Sequence, residues 1–342
     1  MNKEVRPFAI ALLGVGRIGT MHARLLKKHP LVSRLILADV LPERAEEAAQ
    51  ELGCESATLD EVLSLDNPLG VEGFVIATAT STHADLLIKA SDLGIPTYCE
   101  KPISMTLDEA VRAQEALEAA GLLHHIGFHR RFDVGYTRAK ELVQSGELGE
   151  VRRFHAVTCD QLPPADDYIP TSGGIFVDCN AHDFDILRWV LGREVVEVYA
   201  TGSARGRAIY AESNDYSDAV SILTFDDGTV GSVQSSRYNG QGYEVRLDIM
   251  GDKGSANVGL DNKAPMRSVE DDVAYPTEEP WTDFIERFKP CYEAELDHFL
   301  RNPMIGKPGA CTAADAVAAL KIGLACNISR DENRPVRIDE IK

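Results

Sequence analysis

Of 342 residues only two are Trp, and basic charge is short: 35 Lys and Arg stand against 54 Asp and Glu, a net charge of -19. A surface of that sign repels phosphate backbones and anionic lipid, so nucleic acid and membranes are not expected partners. Cysteine is scattered. Cys54, Cys99, Cys159, Cys179, Cys291, Cys311 and Cys326 form no CxxC pair, the pattern of reduced structural thiols in a cytoplasmic protein. His124, His125 and His155 lack metal-ligand spacing, and no metal is expected. No apolar run is long enough to span a bilayer without a charge or glycine. Lys3 and Arg6 precede the apolar stretch Phe8 to Leu13 as in a secretion signal. That stretch is short, lacks a small-residue cleavage site and runs into a glycine motif, so it reads as a buried strand.

The length calls for two domains. From Phe8 to Phe128, short apolar runs (Phe8 to Leu13, Leu35 to Ala38, Gly73 to Ala77, Thr97 to Cys99, Leu123 to Phe128) alternate with amphipathic stretches. Such βαβ alternation predicts an α/β fold with a parallel sheet covered on both faces. A helix is expected at Gly135 to Ser145, a strand at Val151 to Thr158, a loop at Gln161 to Gly174 and a helix onward to Leu191. Strand patterns follow at Val195 to Thr201, Ala219 to Phe225, Val230 to Ser236 and Tyr243 to Met250. Turn chemistry at Asp226-Asp227-Gly228 and Gly251-Asp252-Lys253-Gly254 makes their sheet mainly antiparallel. Helices at Trp281 to Arg301 and Thr312 to Ser329 close the chain. The expected domains are 1–125 and 126–342.

Gly14-Val15-Gly16-Arg17-Ile18-Gly19 follows the first strand and opens a helix, the context of a Rossmann dinucleotide site. Gly14 makes the tight turn, Gly16 admits a pyrophosphate, Gly19 lets the helix pack, and the helix N-terminus offers free N–H groups. Asp39 lies 20 residues beyond Gly19, where a carboxylate accepts from the adenosine ribose and repels a 2′-phosphate, favouring NAD over NADP. Asp39 also reads as a cap before Pro42. Lys101, in Glu100-Lys101-Pro102, follows the fifth strand at the edge where ligands bind; alone it would read as a surface loop lysine. Glu100 reads either as its ion-pair partner or as a surface charge. Asp178, His182 and Asp185, spaced i, i+4, i+7, share one face of a regular helix. A histidine between carboxylates can exchange protons near neutrality, or be a buried structural histidine satisfied by Asp185.

Together with Gly127-Phe128-His129-Arg130-Arg131-Phe132-Asp133, Gly173-Gly174 and Gly251-Asp252-Lys253-Gly254, these motifs resemble the glucose-fructose oxidoreductase, inositol dehydrogenase and MocA family over nearly the whole chain, and within it the inositol 2-dehydrogenases. The resemblance implies an N-terminal Rossmann domain and a C-terminal α/β domain with an open sheet that pairs subunits, giving a homo-oligomer, a tetramer by expectation. It implies a cis Lys101-Pro102 peptide, and catalysis by Lys101, Asp178 and His182, with His182 as general base. NAD contacts are then assigned to Gly14, Gly16, Arg17, Ile18, Gly19, Asp39, Thr78, Thr80, His83, Glu100 and Lys101. Polyol contacts fall to Lys101, Arg130, Arg131, Gln161, Asp178, His182, Asp185 and Tyr243. Arg130 and Arg131 read equally as structural ion-pair partners, and Asp185 and Tyr243 equally as solvated or packing residues.

The expected activity is NAD-dependent oxidation of myo-inositol or an epimer to the keto-inositol. Cys179-Asn180-Ala181 and Asp160-Gln161-Leu162 depart from the inositol pattern, which keeps open a dehydrogenase or keto-reductase of a pyranose sugar. A third reading is a non-catalytic NAD-binding regulator, which the intact Lys101, Asp178 and His182 argue against.

Overall fold

The computed structural model describes residues 6–342; Lys3 lies outside the described residues. The chain divides into two compact units, residues 1–129 with Tyr292–Val317, and Arg130–Cys291 with Ala318–Lys342. Sequence had placed all of 126–342 in one domain, whereas Tyr292–Val317 returns to the first unit. The physical reason is core-forming: Leu296, Phe299 and Leu300, on the helix Phe284–Arg301, join Phe8, Ile10, Leu12, Leu26 and Leu37 in one buried apolar cluster.

The first unit holds a six-stranded sheet of β1 (Phe8–Leu13), β2 (Val32–Ala38), β3 (Glu55–Ser56), β4 (Gly73–Ile76), β5 (Thr97–Glu100) and β6 (His124–Gly127). All pairs run parallel, in the order β3-β2-β1-β4-β5-β6. β1, β4 and β5 are buried along their whole length, as strands covered on both faces should be. The order reverses between β1 and β4, which opens a crevice at their carboxyl ends. β2 begins three residues before its apolar run because Ser33 and Arg34 are exposed, and β3 is too short to leave a pattern in sequence.

The second unit holds β7 (Val151–Cys159), β8 (Val195–Ser203), β9 (Asp218–Phe225), β10 (Val230–Ser236), β11 (Glu244–Gly251), β12 (Ser255–Val258) and β13 (Val336–Arg337). Their order is β12-β11-β7-β10-β9-β8-β13. Only β7 and β10 pair parallel; the other pairs are antiparallel. One face of β9 is buried through Leu223, while Val220, Ile222 and, on β10, Val230 are exposed on the other.

The helix expected to run unbroken to Leu191 is two helices, Gly174–Asp178 and Ala181–Leu191. Both Cys179 N and Asn180 N donate to Ile175 O at 3.0 Å, so one carbonyl serves two donors and the helix slips by a residue. Asn180, fully buried, secures the slip by donating to Asp183 and accepting from Ser235 Oγ on β10, each at 3.0 Å. Asp178 and His182 therefore do not share one regular helix face.

Glu295, fully buried, accepts from Tyr98 Oη at 2.9 Å and pairs with His125 Nε2 at 3.0 Å. Glu295→Ala should cost about 3 kcal/mol, the scale of breaking a buried pair from one side; a urea midpoint within about 0.5 kcal/mol of wild type would refute that. Burial first, and then His125, push the His298 imidazole down to about 4. The unfolded chain titrates near its ordinary value of about 6.5, so between those values it binds a proton the folded chain lacks. Stability should fall as pH drops from about 6.5 towards 4, and His298→Asn should flatten the slope in thermal melts across that range.

Candidate active site

In the first unit the glycine turn is built by close approach. Gly14 sits at φ +90°, where a Cβ would lie 2.6 Å from Ala77 O, and a Cβ on Gly19 would lie 1.8 Å from Gly14 O. Gly16 has open space where a Cβ would stand. It begins the helix Arg17–Lys28 without a side-chain cap and with no acidic residue in the first turn. Arg17 is exposed and Ile18 half-buried. Such an end receives an anion on free N–H groups and the positive end of the helix dipole. Glycines packed at two positions and open at the middle one fit a dinucleotide pyrophosphate.

Asp39, at the end of β2, accepts from Val15 N at 2.8 Å and Leu41 N at 3.0 Å. The carboxylate thus braces the glycine turn and caps the approach to Pro42, next to where a ribose would lie. Thr78 and Thr82 hydroxyls bond each other at 2.7 Å, and Thr80 opens the short turn between them. His83 is buried, with Nδ1 at 2.8 Å from Pro102 O and Nε2 at 3.2 Å from Thr78 O. Burial above all lowers its pKa. It ties the turn after β4 to the cis Lys101-Pro102 peptide. Lys101 is half-buried at the end of β5. Glu100 is no surface charge: it is buried, 2.6 Å from His22 Nε2 and 3.0 Å from Tyr98 Oη. Burial opposes its ionisation, but His22 and Tyr98 hold its pKa below the ordinary value.

In the second unit, aspartates pair with arginines. Arg130 Nη1 donates to Asp183 at 2.5 Å and Nη2 to Thr158 Oγ1 at 3.0 Å. Arg131 donates through Nε at 2.9 Å and Nη2 at 2.5 Å to both oxygens of Asp185. All four charged residues are buried, so Asp183 is engaged by Arg130 and Asp185 by Arg131. Asp178 accepts from Tyr168 Oη at 2.9 Å and from Arg237 Nη2 at 2.7 Å. His182 is half-buried in the first turn of its helix, and Gln161 is half-buried just past β7. Tyr243 is buried against Phe288, and burial raises its pKa well above the ordinary value.

Sequence reasoning missed Tyr168, Arg237 and Thr158. Tyr168 lies in a Pro- and Asp-rich loop, Arg237 follows the end of a strand, and Thr158 sits inside one. None belongs to a recognisable motif. The available clue was arithmetic: an acidic helix segment that folds inside a protein requires cations from elsewhere.

Two family models match the chain: the oxidoreductase family with NAD-binding Rossmann fold over residues 8–128, and the GFO/IDH/MocA C-terminal domain over residues 136–257. A scyllo-inositol 2-dehydrogenase (NAD(+)) of Bacillus subtilis (strain 168) is 34% identical over 340 residues, 99% of this chain and 98% of that protein. A myo-inositol 2-dehydrogenase of Thermotoga maritima is 34% identical over 333 residues, 97% of this chain and 99% of that one. The crystal structure of a myo-inositol dehydrogenase from Corynebacterium glutamicum superposes with a TM-score of 0.87 at 31% identity, covering 97% of this chain and 98% of the other. With the glycine turn intact in its first unit and both family models matched in order, the chain belongs to the GFO/IDH/MocA family and is an NAD-dependent oxidoreductase.

Proposed function

We propose that the protein oxidises an inositol, myo-inositol or a close epimer, to the keto-inositol. The observation that carries this reading is the end-to-end match to relatives named as scyllo- and myo-inositol 2-dehydrogenases, in a chain that carries Lys101, Asp178 and His182. NAD, when bound at the glycine turn, would supply the hydride acceptor, taking the carbinol C–H electron pair as the carbonyl forms. The His182 imidazole takes the hydroxyl proton as general base. The Lys101 ammonium donates to the same oxygen and stabilises the negative charge that builds there. Asp178, ion-paired with Arg237 at 2.7 Å, offsets the positive charge that His182 gains.

Part of the case for a pyranose substrate weakens on the geometry. Asn180 and Ala181, which depart from the inositol pattern, are buried, and the Asn180 amide is spent on Asp183 and Ser235. The exposed Val220, Ile222 and Val230 on the open sheet face support a homo-oligomer, a tetramer by this reading, that covers them.

NADH formation with myo-, scyllo- and chiro-inositol and a set of pyranose sugars tests the substrate. Inositol oxidation with sharp epimer discrimination is expected, since leaving one buried polar partner unmatched is costly; activity on a pyranose with every inositol inert would overturn the choice. His182→Ala should lower kcat by ~10²- to 10⁴-fold with NAD affinity intact by fluorescence titration, and survival of turnover within a few-fold would remove the general-base role.

For the cofactor, wild type should show higher kcat/KM with NAD than with NADP, and Asp39→Ala should move the ratio towards NADP. Equal use of both by the wild type would sink the ribose role of Asp39.

A further inference from the structure

β7 and β10 run parallel with Ser236 opposite Cys159, so the residues that follow, Arg237 and Asp160, leave the sheet side by side. Backbone bonds pin both: Asp160 N donates to Ser236 O at 2.9 Å and Arg237 N to Ser217 O at 2.7 Å. The Arg237 side chain is 5% exposed and forks between two carboxylates, Nη2 to Asp178 at 2.7 Å and Nη1 to Asp160 at 3.2 Å. Tyr168 Oη takes the other Asp178 oxygen at 2.9 Å. Both oxygens of Asp178 are thereby oriented, and the first residue of the segment carrying Gln161 is locked to the same guanidinium.

We propose that Arg237 is a positioning residue for polyol oxidation: it fixes the carboxylate of Asp178 and, through Asp160, the start of the Gln161 loop, so that substrate hydroxyls meet both in one geometry. The proposal rests on the polyol reading above. Only a planar guanidinium spans two carboxylates in this way; an ammonium supplies the charge at a single point. Arg237 and Tyr168 bond Asp178 directly, Asp160 shares the same guanidinium, and the titratable Cys179, His182 and Asp183 follow Asp178 on its own segment. Removing the guanidinium leaves Asp178 near Asp160 with its adjacent cation gone, which raises the carboxyl pKa.

The test compares Arg237→Gln, Arg237→Lys and wild type as full-length proteins checked by circular dichroism. Arg237→Gln should lower kcat/KM for the inositol on the order of 10²-fold, move the acid limb of the pH profile upward and leave NAD affinity unchanged. Arg237→Lys should restore the limb but keep a raised KM, because it cannot hold Asp160 as well. Wild-type KM and pH profiles in both folded variants would overturn the proposal. Should Arg237→Gln not fold, Asp160→Asn replaces it: a raised KM without an upward limb shift supports the bridge, and an unchanged KM refutes it. If wild type turns over a pyranose and no inositol, the substrate reading fails and the same comparison on that sugar judges Arg237. If it turns over neither, carboxyl ¹³C titration of Asp178, assigned with Asp178→Asn, decides: an upward shift in Arg237→Gln, or in Asp160→Asn a downward one, supports the clamp, and no shift overturns it.

Discussion

The Tyr98 hydroxyl lies between two buried carboxylates, 3.0 Å from Glu100 and 2.9 Å from Glu295, and the first unit is arranged around that sharing. One phenolic proton cannot serve two carboxylates at once, so each has its own imidazole as well: His22 Nε2 at 2.6 Å from Glu100 and His125 Nε2 at 3.0 Å from Glu295. Ionised carboxylates in an apolar interior persist only where paired and hydrogen-bonded in this manner. The network joins the helix behind the glycine turn, the strand that ends just before Lys101, and the helix that returns late in the chain. Gly127 leaves room for it, since a Cβ there would lie 2.6 Å from Tyr98 Oη. Lys101 thus emerges from a strand end whose preceding residue is anchored on two sides.

The second unit solves the same problem with arginine. Asp178, Asp183 and Asp185 fall within eight residues and meet Arg237, Arg130 and Arg131 respectively. Asp183 is reached by Arg130 and by the hydroxyl of Thr158, which donates to it at 2.8 Å, so the helix Ala181–Leu191 is tied to β7 by a polar contact. Asn180 ties it to β10 through Ser235. These contacts explain how a net-acidic chain buries an acidic helix: rigid guanidinium groups satisfy several carboxylate lone pairs at a time. They also fix the segment's geometry, because each of the three carboxylates is held by its own arginine.

Sequence by itself determined the layers and the cofactor. Apolar runs of β1, β4 and β5 alternating with amphipathic helices give a parallel sheet, since strands buried on both faces have no polar alternation to show. Gly14, Gly16 and Gly19 are legible because their roles depend on neighbours a few residues away and on one strand beside them. Gly228 and Gly254 mark tight turns for the same local reason. The motif set from Gly14 to Gly254 was specific enough to give the family before any fold was seen. Only the tertiary structure decided the partners of the charges and the slip in the helix. Glu295 is 197 residues from Tyr98, Arg237 is 59 from Asp178, and Ser235 is 55 from Asn180; no local period records such pairings. An i, i+4, i+7 spacing assumes a regular helix, and a carbonyl shared by two donors at Ile175 breaks that assumption. The return of Tyr292–Val317 to the first unit was hidden likewise: an apolar helix face states that it will be buried, and which core receives it is settled by shape and by the buried charges that must be matched there.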